Sequence, residues 1–364
     1  MAIQDENLMN LLLAYSASHR ARLLQQPEPA TRIALWVKDV FPKLRYALNN
    51  LNNIVSNANL ATAIMLASLE IISPKAFGVS VPWQQHLLMA RSMVLARGGV
   101  RSMYYERSDV SRFLLRWFAY LDVLGSLIDG PADPPSPTGS VQSPPDERSK
   151  SRWLYEYDFD DEMDYQIDCL FGFTGRCINI LALIAELARG CDMNRIDGDK
   201  NIRPEWKPSE EVITRAEKLI ADLEAARTNA RVQSCQHLHS AGEAAYQWDT
   251  REMAATNEAY HWAGLVHLHR RILGKPTTHT DVKNAVSEII RALYKVRKGS
   301  SAEFCLLFPM FTAGCDTQDE KQKLFIMDRF RGIEDFGMSQ VSCSDDAFSP
   351  ECAEFIFRYK EREL

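Results

Sequence analysis

No two cysteines in this chain are separated by only two residues, although there are eight: Cys169, Cys177, Cys191, Cys235, Cys305, Cys315, Cys343 and Cys352. Structural zinc sites want closely spaced cysteine pairs, so none is expected. With 364 residues, 46% of them hydrophobic, the chain has its own core and needs no disulfide staples. The cysteines therefore read as reduced thiols of an intracellular protein. Long apolar runs are missing as well. The longest uncharged stretch, Tyr46 to Leu69, holds six asparagines, and amides at that density are costly in hydrocarbon, so no membrane span is expected. Asp5 and Glu6 stand where a secretory leader needs positive charge, and the apolar run Leu11 to Ala14 is too short for its core. Positive charge is scarce overall, with 42 Lys and Arg against 48 Asp and Glu and a net charge of −6. Such a surface repels a phosphate backbone, and direct nucleic-acid binding is not expected. A glycine-rich phosphate loop, a GxSxG elbow and sustained period-two alternation are all absent.

What is present is helical spacing. Leu8, Leu11, Leu12, Tyr15 and His19 define one apolar face, and Val282, Val286, Ile289, Ile290, Leu293 and Val296 another. Asn57 is placed to cap a helix ending at Ile72, before Pro74. Gly98-Gly99 stops a helix carrying Trp83, Leu87 and Val94, and Asp109 and Ser209 are further candidate caps. The expected fold is all-α, a single domain of about ten helices. Six prolines between Asp129 and Ser151 interrupt it with a Pro/Ser-rich surface loop. Ser136-Pro137 and Ser143-Pro144 in that loop would suit a proline-directed kinase, but a tolerated spacer accounts for them as well. A second loop, Asp192 to Pro208, mixes charges, glycine and prolines around Trp206 and carries no readable role.

Several strings tempt a chemical assignment. Asp160-Asp161-Glu162-Met163-Asp164 has the DDxxD pattern by which terpene synthases hold magnesium and a diphosphate, and residues four apart share a helix face. Neither the second magnesium motif nor a basic cluster accompanies it, so the acids read as a solvated helix start facing the dipole. Glu258 and His261 have the ExxH spacing of di-iron bundles, which need that motif twice, and no other Glu here is followed by His three residues on. His267 and His269, and His237 and His239 near Cys235, are two apart and so point to different sides of a helix. Core or rim histidines are expected. Ser16, Ser18 and His19 offer no oriented nucleophile and base. No catalytic, cofactor or metal residue is assigned, and the chain is expected not to be an enzyme.

The ordered set of longer segments carries more. Leu11 to Leu23, Leu60 to Ile72, Trp83 with His86-Leu87, Arg97-Gly98-Gly99, Phe113 to Ser126, Ala263 to Gly274, Leu306 to Cys315 and Glu334 to Met338 together resemble the large helical regulatory domain of fungal Zn(II)2Cys6 zinc-cluster transcription factors. The resemblance covers roughly residues 7 to 342. It places that domain over 1–342, with 129–151 as its loop and 343–364 as a divergent tail. The six cysteines of the zinc cluster, two closely spaced triplets, have no counterpart in this sequence. The resemblance implies a nuclear transcriptional regulator acting through protein co-regulators or a full-length paralogue, as a homodimer or heterodimer, with a small apolar effector in some relatives and secondary-metabolite gene clusters as frequent targets. It also implies no direct contact with DNA by this chain. Two other readings remain open, a magnesium-dependent terpene-synthase-like enzyme using Asp160, Asp161 and Asp164, and a small-molecule sensor.

Overall fold

The structure, a computed structural model, describes residues 2–48, 56–72, 83–106, 108–128, 165–197, 201–232 and 243–335. Loop 129–151 with its two Ser-Pro sites, the Asp160 to Asp164 string, the Cys235, His237 and His239 group and the tail 343–364 all lie outside those residues. The chain divides into two compact units, Met1–Asp122 with Phe330–Cys343, and Val123–Arg329 with Ser344–Leu364.

In the first unit, α1 (Glu6–Leu23), α2 (Ala30–Val37) and α3 (Val40–Leu48) precede α4 (Asn57–Ile72), α5 (Trp83–Ala96), α6 (Gly99–Tyr105) and most of α7 (Asp109–Ile128). From Leu60 to Leu69 all but one residue of α4 is buried, as a helix apolar all round must be, and α1 and α5 pack against it. The buried stripe of α1 is Leu8, Leu11, Ala14, Ser18 and Ala21. It is rotated from the expected face, because Leu12 is exposed while Tyr15 and His19 are half-buried. Small Ala14 and Ser18 let α1 approach its neighbours closely, which a search for large apolar residues overlooks. The capping residues also differ from those expected. Ser56, not Asn57, accepts from the Asn59 N–H at 3.1 Å, and Ser108, not Asp109, accepts from Ser111. Asn57 is otherwise engaged, since its Oδ1 accepts from the Arg97 guanidinium. Arg97 also grips both oxygens of Glu106, so one side chain ties the start of α4 to the ends of α5 and α6. Gly98, at φ 91°, makes the left-handed step between α5 and α6.

The second unit holds α8 (Gly175–Arg195), α9 (Glu210–Asn229), α10 (Glu243–His267) continued by a π turn (Leu268–Ile272), α11 (Thr280–Leu293), the single turn α12 (Ser301–Phe304), α13 (Leu307–Asp316) and most of α14 (Glu320–Asp335). The protein is all-α. Its only strands among the described residues are β1 (Gln166–Ile167) and β2 (Arg231–Val232), a parallel pair of two residues each. The helices outnumber the expected ten because short ones such as α6 and α12 carry no periodicity to read. The face foreseen for α11 is buried throughout, from Val282 to Leu293, and Val296 beyond it. Ser209 caps α9 as expected, accepting from Val212.

α10 lies against α8, α9, α11 and α13 and supplies the aromatic centre. Tyr260 packs between Phe173 (4.6 Å between ring centroids) and Phe308 (5.8 Å), and its hydroxyl donates to the Cys305 carbonyl at 2.6 Å. The turn before α8 is fixed by Asp168, whose carboxylate accepts from the Leu170 and Phe171 N–H groups, and by Gly172 at φ 74°. A Cβ on Gly172 would lie 2.6 Å from Cγ2 of fully buried Thr256. Gly172→Ala is therefore expected to cost about 2–4 kcal/mol, summing left-handed strain and overpacking. Urea unfolding measures this, and a loss below about 0.5 kcal/mol would show that the turn relaxes freely.

Candidate functional site

Helix α8 starts at Thr174, whose hydroxyl accepts from the Cys177 N–H at 3.0 Å. Its buried stripe runs through Leu181, Ile184, Ala185 and Ala188, and in the last turn continues through Cys191, Asp192 and Arg195. Charged groups thus occupy positions that spacing assigns to the core. A charge taken out of water must be paired, and Asp192 is paired twice. Its Oδ1 accepts from Arg195 Nε at 3.1 Å and Nη2 at 2.8 Å. Its Oδ2 accepts from Arg271 Nε at 3.2 Å and Nη2 at 2.5 Å, and Arg271 Nη1 donates to the Leu127 carbonyl at 2.8 Å. Burial alone would push the Asp192 carboxyl up, but Arg271 and Arg195 outweigh it and hold the group below the usual range.

Arg271 comes from the π turn. Such turns are rare, and many of them occur at functional sites. Here Leu268, His269, Arg271 and Ile272 are all buried, so the wider turn is covered on both sides. His267, the residue before it, stacks on Phe308 at 5.4 Å and 9°. Its Nε2 lies 3.3 Å from Thr312 Oγ1. Burial first, then Arg271, pushes its imidazole down to about 3, so the ring is neutral at physiological pH.

Two cavities flank this polar centre. One, of about 40 Å³, is lined by Arg195, Ile202, Val266, His267, Arg271 and Thr312 among others. The other, of about 520 Å³, lies where the end of α8 meets the start of α9, with Leu187, Cys191, Trp206, Lys207, Val212 and Arg215 on its walls. Between Ile196 and Pro208, the segment without a readable role in sequence walls both. Ile196 and Ile202 form an isolated bridge, the Arg203 N–H donates to the Arg195 carbonyl, and the Trp206 ring lies over Gly274, where a Cβ would sit 3.3 Å from it.

The sequence candidates are placed apart. Glu258 pairs with Lys295 at 2.9 Å, while His261 is buried and its Nδ1 donates to the Asn257 carbonyl at 2.7 Å. His269 accepts from Lys275 at Nδ1, 3.2 Å away, and does not join His267 on a common ligand. Ser18 donates to the Glu28 carboxylate, and His19 stacks on Tyr15. Among the described residues no three His, Cys, Asp or Glu side chains are grouped to hold a metal ion, and five cysteines are free thiols. Asp192, Arg195 and Arg271 were not singled out as a site in the sequence, though Asp192 and Arg195, charges at i+4 and i+7 from Ala188 on an otherwise apolar stripe, were a visible signal.

Comparison with known proteins adds one finding. The model of a family described as fungal specific transcription factor domain matches residues 1–342. No curated protein and no solved structure matches the chain.

Proposed function

The chain belongs to the fungal specific transcription factor domain family, and from that premise we propose that it is a transcriptional regulator working in the nucleus through protein partners. The observation that carries this reading is the match over residues 1–342. Membership implies a regulatory rather than a catalytic role. A net charge of −6 favours contact with proteins over contact with a phosphate backbone. Co-regulators, or a full-length paralogue in a heterodimer, are the partners proposed, and genes of secondary metabolism the class of target. Among the described residues no helix is long and apolar enough to cross a membrane.

Deleting the gene and sequencing transcripts is expected to change a co-located set of genes, and cross-linked nuclear extracts are expected to hold the protein with a DNA-binding partner. Unchanged transcripts together with an empty nuclear fraction would sink the proposal. A second reading, sensing of a small apolar molecule, is favoured by the cavity of about 520 Å³ beside Trp206, a volume within the range of ligand pockets. Trp206→Ala would then abolish stabilisation by the effector while leaving the fold intact.

A further inference from the structure

We infer that the larger cavity, between the end of α8 and the start of α9, binds an organic acid with a flat apolar body and its carboxylate at the mouth, an assignment that rests on the sensing reading above. On α8 the wall is Leu187, Gly190, Cys191 and Asn194. These fall at i, i+3, i+4 and i+7 and so share one helix face. Gly190 stands in the middle of that face. It lies inside a helix of 21 residues, where glycine costs stability relative to alanine. Neither backbone nor packing requires it: its φ is not positive, and a Cβ built on it would meet no atom within 4 Å. Gly172 and Gly264 in the same unit are the opposite case, with a Cβ on each falling 2.6 and 2.9 Å from a packed side chain. Gly190 thus gives up helix stability and keeps only the space in front of it open.

The walls say which ligand. Leu187 and Cys191 are buried, and Trp206 and Val212 half-buried, so the inner surface is apolar and includes one ring for a flat molecule to stack on. At about 520 Å³ the space holds a body of two fused rings with ease. Burial first, then Asp192, pushes the Cys191 thiol up to about 11, so it stays protonated and forms no bond to the ligand. Arg215 is among the cations that oppose that rise, which sets its guanidinium on the cavity side of α9. Arg215 and Lys207 are both exposed and stand at the mouth, and neither is ion-paired among the described residues. Glu211 is the one acid on the wall and offsets one of these two cations. A carboxylate meets the remaining charge with two coplanar oxygens that the guanidinium fork matches, whereas a phosphate ester brings about two charges against one.

The test is calorimetric titration of the intact chain at neutral pH with naphthoate and with naphthamide, the uncharged molecule of the same shape. Naphthoate is expected to bind saturably and about tenfold more tightly than the amide. Arg215→Met is expected to bring the acid down to the amide's affinity with Tm unchanged, since the side chain is exposed. Gly190→Leu is expected to abolish binding of both molecules while raising Tm by about 2–4 °C, because leucine fills the open space and is the better helix former. A destabilised cavity-filling variant would mean that the space is part of the packing and not a site. Arg215→Met tests the acid whether or not that variant folds. Amide that binds as tightly as acid, or acid that binds Arg215→Met as it binds the parent, overturns the acid and leaves sensing of an apolar molecule in place. If neither molecule binds, or both bind Gly190→Leu as they bind the parent, the site falls and the sensing reading with it. The readout is binding by the chain alone, so it holds or fails separately from the transcriptional reading.

Discussion

Asp192→Asn is expected to lower the stability of the second unit by about 3–5 kcal/mol, the range for removing one partner of a buried ion pair. The substitution preserves shape and part of the hydrogen bonding, so its effect is electrostatic. Two guanidiniums, 6% and 2% exposed at Arg195 and Arg271, would then share a neutral amide. At roughly 2–4 °C per kcal/mol for a unit of this size, Tm should fall by about 10 °C. Arg195→Met sharpens the interpretation, because it removes a charge from the same cluster but leaves Asp192 and Arg271 matched. The first variant should be far weaker than the second, though both delete one charged group. If the two melt together, the arginines are solvated and the cluster is not the buried centre described above.

That cluster also marks where sequence reading reached its limit. The face of α11 was legible because its residues are large, apolar and locally spaced, and the same logic located α4 and α5. The stripe of α1 was misplaced by the small size of Ala14 and Ser18. Two of the three expected caps were displaced by one residue, because a serine directly precedes both Asn57 and Asp109, and those two serve Arg97 and Arg112 instead. Asp192 and Arg271 are 79 residues apart, and no local pattern states that they meet. A π turn is equally silent in sequence, since His267 to Ile272 reads as one more turn of ordinary helix. The loop expected from Asp192 begins only after Arg195, because Asp192 and Arg195 are paired within the last turn of α8, and it looked featureless because Ile202, Trp206, Lys207 and Pro208 wall cavities whose other sides come from α8, α9, α10 and α13.

Acid should unfold the second unit before the first. His261 and His269 are held down to about 4 and His267 to about 3, in each case chiefly by burial, against about 6.5 in an unfolded chain. Between pH 6.5 and 4 the unfolded state takes up protons that the native state refuses, so stability falls as pH falls. Each histidine contributes up to about 1.4 kcal/mol per pH unit. Three of them between pH 6.5 and 5 remove about 5 kcal/mol, comparable to the whole stability of many domains. In the first unit the balance differs. His86 is likewise pushed down by burial, to about 4, but Glu70 is pushed up by burial to about 7. Its protonated form is the one the fold prefers, so its contribution is present below pH 4.5 and is lost as pH rises through 7. Over pH 4.5–6.5 the two slopes oppose each other, and the first unit should change little. Labelling of the buried thiols Cys177 and Cys191 with a dithiodipyridine reads the second unit directly, since both lie in it and burial suppresses their ionisation. Both should become reactive near pH 5 while much of the helical signal at 222 nm persists as an order-of-magnitude guide to the first unit. Glu70→Gln should then stabilise the first unit at pH 8 and have little effect at pH 4.5. Thiols that stay protected down to pH 4 would mean that the three histidines titrate in place, with water reaching rings that this packing keeps dry.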